Sequence, residues 1–238
     1  MFRLIRSRII CCLLLPCALA AQNVDLKAKV ELTKNGHRVH DASKVVVWLT
    51  PVGNTPVPEP PRQTDPIPQL VQKDKSFHPP LLVIPAGGKV EFPNHDPFFH
   101  NVFSLFDGKR FDLGLYESGS TQFVIFDKPG ISYIFCNIHA QMSAVVIALA
   151  TPYYAVSNWR GDLAISGVAP GRYQMHMFHP SASAETLHAV EHQITVTPGE
   201  TSLGTISLAE SNLELAHKNK YGRDYDPPEP DSPAYARP

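Results

Sequence analysis

Residues 24–33, VDLKAKVELT, set the Val24 and Leu26 side of the segment against Asp25, Lys27, Lys29 and Glu31 on the other parity. That period of two belongs to a strand with one wet face. Asn35-Gly36 then reads as a hairpin turn, and KVVVWLT at 44–50 as a second strand. The proline-dense stretch at 51–68, PVGNTPVPEPPRQTDPIP, predicts an extended surface connector. From 69 to 150 short apolar runs (LLVI, KVEF, HNVFSLF, FDLGLY, TQFVIF, YIF, AVVIALA) are separated by turn signals at Gly87-Gly88, Asp107-Gly108 and Pro129-Gly130. Strands at that spacing predict a sandwich or barrel. AVVIALA is apolar on both parities, so both of its faces are expected to be covered.

After residue 153 the rhythm changes. Turns at Arg160-Gly161 and Pro170-Gly171 separate further strands, and a polar loop precedes HQITVTPGETSLGTISL. Residues 210–238 are polar, proline-rich and without period, and are expected to be mobile or draped over a partner. No tandem repeat is evident. The 23 prolines and 14 glycines agree with an all-β chain.

The first twenty residues place Arg3, Arg6 and Arg8 before the apolar run Ile9–Leu15 and end on Ala18-Leu19-Ala20. This is the pattern of a secretory signal peptide over 1–20, with a run too short to span a bilayer. The expected location is therefore the periplasm, with no membrane span. Loss of three arginines takes the formal net charge from −1 to −4, which leaves no basic footprint for nucleic acid. Cys11, Cys12 and Cys17 leave with the signal, so Cys136 is the sole mature cysteine and no intramolecular disulfide can form. An odd cysteine in an exported protein indicates an intermolecular bridge, a reactive thiol or a metal ligand.

Its neighbours bear on that choice. FCNIHAQM, 135–142, puts Cys136, His139 and Met142 in a C-x2-H-x2-M pattern on one short loop. Soft sulfur, an imidazole and a weak thioether are three-quarters of a blue-copper set, which is completed by a second histidine. His100 in NHDPFFHNV opens an apolar run of the same sandwich and fits that place, although alone it is as compatible with packing as with ligation. His95 sits on the preceding turn, where an exposed or supporting role outweighs ligation. The unpaired cysteine read as a small buried hydrophobe is the bland alternative.

EFPN and HNVF within 91–103, KPG at 128–130 and YIFCNIHAQM at 133–142 together resemble the cupredoxins of the plastocyanin and amicyanin type. The resemblance covers residues 69–152. It implies a Greek-key sandwich and one type 1 copper held by His100, Cys136, His139 and Met142, with Asn101 tying the two ligand segments by hydrogen bonds. Small cupredoxins usually carry proline between the cysteine and the histidine; here Asn137-Ile138 fills that gap. The flanks resemble a carboxypeptidase regulatory-like, transthyretin-type β-sandwich, with its first strands in 21–52 and the remainder in 153–209; the domain at 69–152 is expected to be inserted into it, with the proline-rich 53–68 as the outgoing connection. The expected fold class is thus all-β: a Greek-key cupredoxin sandwich plus a second, smaller transthyretin-like sandwich. The combined order resembles exported bacterial plastocyanin-like and methylamine-utilisation proteins.

The other histidines carry less. QMHMFHP holds Met175, His176, Met177 and His179, but strand geometry sends 175, 177 and 179 one way and 176 the other, which favours packing over a second copper site. His188 and His192 could share a metal only if HAVEH were helical, and its short polar setting argues against a helix. No H-x-H pair exists for trinuclear copper chemistry, and no nucleophile elbow accompanies the serines. The expected function is single-electron transfer with a transient protein redox partner, by a monomer or weak oligomer and not by an enzyme. His139 is the implied electron port, rimmed by Phe98, Phe99, Ala140 and Gln141. The alternatives are a copper-homeostasis protein and a metal-free sandwich that binds protein or carbohydrate.

Overall fold

The computed structural model describes residues 22–63, 65–105, 107–199, 201–211 and 217–225; the expected signal peptide lies outside them. Strands dominate the described residues, which are all-β apart from one short helix. It begins with β1 (Val24–Lys34), β2 (His37–Arg38) and β3 (Val46–Pro51). Next come β4 (Val71–Lys73), β5 (Ser76–His78), β6 (Leu81–Pro85), β7 (Lys89–Pro93), β8 (His100–Ser104), β9 (Phe111–Tyr116), β10 (Thr121–Ile125), β11 (Gly130–Cys136) and β12 (Ser143–Leu149). The chain closes with β13 (Tyr154–Val156), β14 (Asp162–Val168), β15 (Gly171–Phe178), α1 (Ala184–Val190), β16 (His192–Val196) and β17 (Ser202–Glu210).

Two sandwiches result. In one, the sheet β14-β1-β17, with β2 paired to β1, faces the sheet β13-β3-β15-β16. Val30, Leu32, Val47, Leu49, Ile165, Tyr173 and Met175 fill the space between them. The alternation along β1 is the reason: every second side chain is buried, and Asn35 and Gly36 both take positive φ, as a tight hairpin turn requires. In the other, the order β6-β12-β11-β8-β9 faces the pair β10-β7, and the β4-β5 hairpin attaches through bridges to Glu91 and Asn94. Its core includes Phe92, Val102, Phe126, Ile134 and Val146, with Cys136 and Met142 among them. Between the sandwiches runs the connector, pinned where Gln63 accepts from Lys89 N and donates to Lys89 O, each at 2.6 Å.

Strand β12 explains how the sandwiches meet. Ala144, Val146 and Ala148 point into the core that holds Cys136. Val145, Ile147 and Leu149 point the other way and pack with Val46 and Phe178 of the second sandwich, beside half-buried Trp48. Burying both faces offsets the cost of a strand with no polar side. Ile147→Val is accordingly expected to cost about 1 kcal/mol. Both tryptophans, Trp48 and Trp159, belong to the second sandwich. Their fluorescence midpoint in urea should therefore fall although the substitution is in the first.

Two expectations need correction. HAVEH does contribute to a helix, α1, because Ser183 caps it by accepting from Thr186 N at 3.1 Å. The helix ends at Val190, so His192 opens β16 and the two histidines do not share a helical face. Residues 217–225 of the tail lie against this chain's own sandwich, the one that holds Cys136: Tyr225 Oη donates to Cys136 O at 2.6 Å. Among the described residues no helix is long and apolar enough to cross a membrane.

Candidate metal centre

His100 begins β8, and Cys136 ends the adjacent β11, where Cys136 pairs with Val102. The loop after Cys136 returns at once: Met142 N donates to His139 O at 3.1 Å and Cys136 N to Met142 O at 3.2 Å. This turn brings His139 beside the cysteine and sends Met142 into the core, fully buried. Asn137 N donates to Asn101 O at 2.9 Å, so Asn101 joins the two segments through its main chain. Its side chain goes elsewhere, donating to Asp112 at 2.6 Å.

One ligand atom from each of His100, Cys136 and His139 lies within 4.8 Å of the others. Cys136 Sγ is 3.5 Å from His100 Nδ1 and 3.6 Å from His139 Nδ1. Among the described residues this is the group of histidine, cysteine and carboxylate side chains that could hold a metal ion. Two Nδ1 atoms converging on one buried sulfur, with a thioether nearby in the same core, make a donor set suited to copper.

A group not anticipated from the sequence orients the first histidine. Asp96 Oδ2 lies 2.9 Å from His100 Nε2, and the carboxylate also accepts from Asp74 N at 2.6 Å and Lys75 N at 3.0 Å. Burial works to raise the Asp96 pKa, but those bonds hold it below the usual carboxylate value. Burial lowers the His100 pKa in spite of Asp96. At neutral pH the pair is therefore carboxylate and neutral imidazole: Nε2–H donates to Asp96, which leaves the Nδ1 lone pair facing the sulfur. Asp96→Asn is expected to weaken copper binding roughly 10-fold, as loss of such supporting contacts does; a competition titration against a chelator measures it.

Burial raises the Cys136 thiol pKa; main-chain N–H groups of Ile138, Asn101 and His139 pull it back, and the Asp96 charge adds to the rise. His139 is pushed down to about 4 by burial, helped by His100 and Lys75. An unfolded histidine takes up its proton near pH 6.5. Between 6.5 and about 4 the unfolded chain thus binds more protons at this position, and folding stability falls as the pH falls. The metal-free protein should show a melting temperature that drops through that window, and His139→Ala should lessen the drop without removing it, because burial also pushes His179 down to about 4.

The surface over the site is aromatic. Phe98 meets the His100 ring at 5.3 Å and the His139 ring at 5.4 Å. His139 is half-buried; the next two residues, Ala140 and Gln141, are exposed, as is Phe99 after Phe98. His95 is exposed and outside the group. His176 stacks on Trp48 at 5.2 Å and bonds Thr50 and Glu191, and Met175 and Met177 are core residues. His179 is buried and accepts from Ser181 N.

Asp96 had a faint signal, a carboxylate four residues before His100 in a turn, whereas the Tyr225 contact spans 89 positions and has no local signal.

No family model matches the chain, and no curated protein does. Solved structures do show likeness. A purple cupredoxin from Nitrosopumilus maritimus is 22% identical, with 34% of this chain and 99% of that chain covered and a TM-score of 0.32. A copper-containing nitrite reductase from Thermus scotoductus SA-01 is 25% identical over 42% of this chain and 27% of that chain, with a TM-score of 0.34. A reduced Cu(I) amicyanin variant is 17% identical over 37% of this chain and 86% of that chain, again at 0.34.

Proposed function

We propose that this chain is an exported type 1 copper protein that shuttles single electrons between periplasmic partners, with His100, Cys136, His139 and Met142 as the ligands. The observation that carries the reading is the buried convergence of His100 Nδ1, His139 Nδ1 and Cys136 Sγ, with Met142 in the same core. Copper held by such a set supplies one-electron chemistry by alternating between Cu(I) and Cu(II).

The chain's own residues determine what that chemistry can do. Four protein donors leave no position for a substrate, which favours electron transfer over catalysis. Asp96 and the main-chain bonds of the loop fix the donors before metal arrives, so little rearrangement is needed between oxidation states. Burial keeps water from the sulfur. His139, with Phe98 beside it, provides the short route to the surface, and a small apolar rim suits a brief encounter with a redox protein.

Cyclic voltammetry of the copper-loaded full chain, with stopped-flow oxidation by a small inorganic complex, tests the reading. A single reversible one-electron wave and fast exchange are expected. Copper that passes readily to a chelator without such a wave would favour the copper-homeostasis alternative.

A further inference from the structure

The loop between Cys136 and His139 has Asn137-Ile138 where a proline would stiffen it. The segment 217–225 reaches that loop from outside. Lys220 N donates to Asn137 Oδ1 at 2.9 Å, Tyr225 Oη donates to Cys136 O at 2.6 Å, and the His217 ring stacks on Phe135 at 3.9 Å and 24°. Tyr225 Oη is also 3.1 Å from His217 Nδ1. On its other side Lys220 Nζ lies 2.8 Å from Asp112 Oδ2, while Asp112 Oδ1 accepts from Asn101 Nδ2 at 2.6 Å. The segment therefore grips the Cys136 loop directly and the His100-Asn101 strand through Asp112.

It also holds its own shape. Asn219 Oδ1 accepts from Tyr221 N and Arg223 N at 3.0 Å each, and Gly222 N donates to Asn219 O at 2.9 Å. A turn already formed loses little entropy on docking, so its contacts act on the loop at little cost.

We propose that residues 217–225 are a strap that fixes the separation of the two ligand segments, which makes Asn137, Lys220 and Tyr225 positioning residues for the metal site. The inference rests on the copper reading and adds to it a second structural element, distant in sequence, that takes the stiffening role of proline. Without the strap, the Asn137–Asn101 main-chain bond at 2.9 Å still ties the loop to the neighbouring strand. The Asn137 side chain and the Cys136 carbonyl nevertheless lose their outer partners, and the cysteine and histidine donors gain room to move relative to one another. One net hydrogen bond contributes about 1 kcal/mol, so each single contact is expected to change copper release about 5-fold.

The test uses full-length chains: wild type, Asn137→Ala, Tyr225→Phe, a strap variant carrying His217→Ala, Lys220→Ala and Tyr225→Ala, and that variant combined with Asn137→Ala. Copper release to excess chelator and the visible and electron paramagnetic resonance spectra are recorded for each. Tyr225→Phe and Asn137→Ala should each speed release about 5-fold, and the strap variant about 10-fold or more with a shifted thiolate band. Asn137→Ala should add little to the strap variant, since its partner is already detached. Equal effects of Asn137→Ala in both backgrounds, or an unchanged strap variant, would overturn the proposal.

Hydrogen exchange of the amides at 136–142 in the metal-free chains keeps this result separate from that of the copper reading. Faster exchange in the strap variant supports the strap even if no chain binds copper; unchanged exchange in chains that still unfold cooperatively rules it out.

Discussion

Cys136→Ser is expected to remove tight copper binding while leaving the fold in place. Structural zinc sites with four ligands bind with apparent free energies of about 10–16 kcal/mol, about 3 kcal/mol per ligand, and on that scale a lost thiolate weakens binding on the order of 100-fold. Copper's preference for soft sulfur adds to the loss, and the thiolate-to-copper absorption disappears with the sulfur. The sandwich should survive because the new hydroxyl has partners waiting. His100 Nδ1 and His139 Nδ1 are 3.5 and 3.6 Å from the present sulfur, and a small shift satisfies a buried hydroxyl there. A melting temperature close to wild type, with chelator competition showing the fall in affinity, is the expected pair of results.

Gly161→Ala acts on the opposite sandwich and on stability alone. Gly161 has φ +83°, and a Cβ there would run into the Val30 carbonyl and stand 3.2 Å from Ala42 Cβ. Val30 N donates to Gly161 O at 2.8 Å, so the turn at 158–161 is docked on the central strand of its sheet and cannot retreat without breaking that bond. The left-handed backbone costs about 1–2 kcal/mol for alanine, and a forced backbone shift about 1–3 kcal/mol more. A loss of about 4 kcal/mol should lower the melting temperature on the order of 10 °C in a chain of this size. Gly199 also has positive φ but open space around it, so Gly199→Ala should cost only the backbone share. The contrast between the two separates steric collision from backbone strain.

The all-β architecture was legible because its signals are local. Alternation along β1 and the two-faced apolarity of β12 follow from a side-chain period of two, and Asn35-Gly36 needed nothing beyond the turn itself. Helix α1 was not legible: none of its residues is fully buried, its apolar face is only Leu187 and Val190, and seven residues are too few to establish a helical period beside the cues of its Ser183 cap and Glu185. At the site, the spacing of Cys136, His139 and Met142 put those three on one loop, while His100 was placed by chemistry and strand context. What escaped was everything that depends on tertiary contact. Asp96 acts on His100 because a loop folds back on the β4-β5 hairpin tip. The polar, proline-rich tail suggested mobility or a partner, and within it residues 217–225 make specific bonds to Asn137, Asp112 and Cys136.

The visible absorption spectrum of the full chain during titration with Cu(II), followed to its endpoint, tests the central claim most directly. One equivalent of copper and an intense blue thiolate-to-copper band are predicted. A chain that takes up no copper, or binds it without that band, would contradict a site built from His100, Cys136, His139 and Met142.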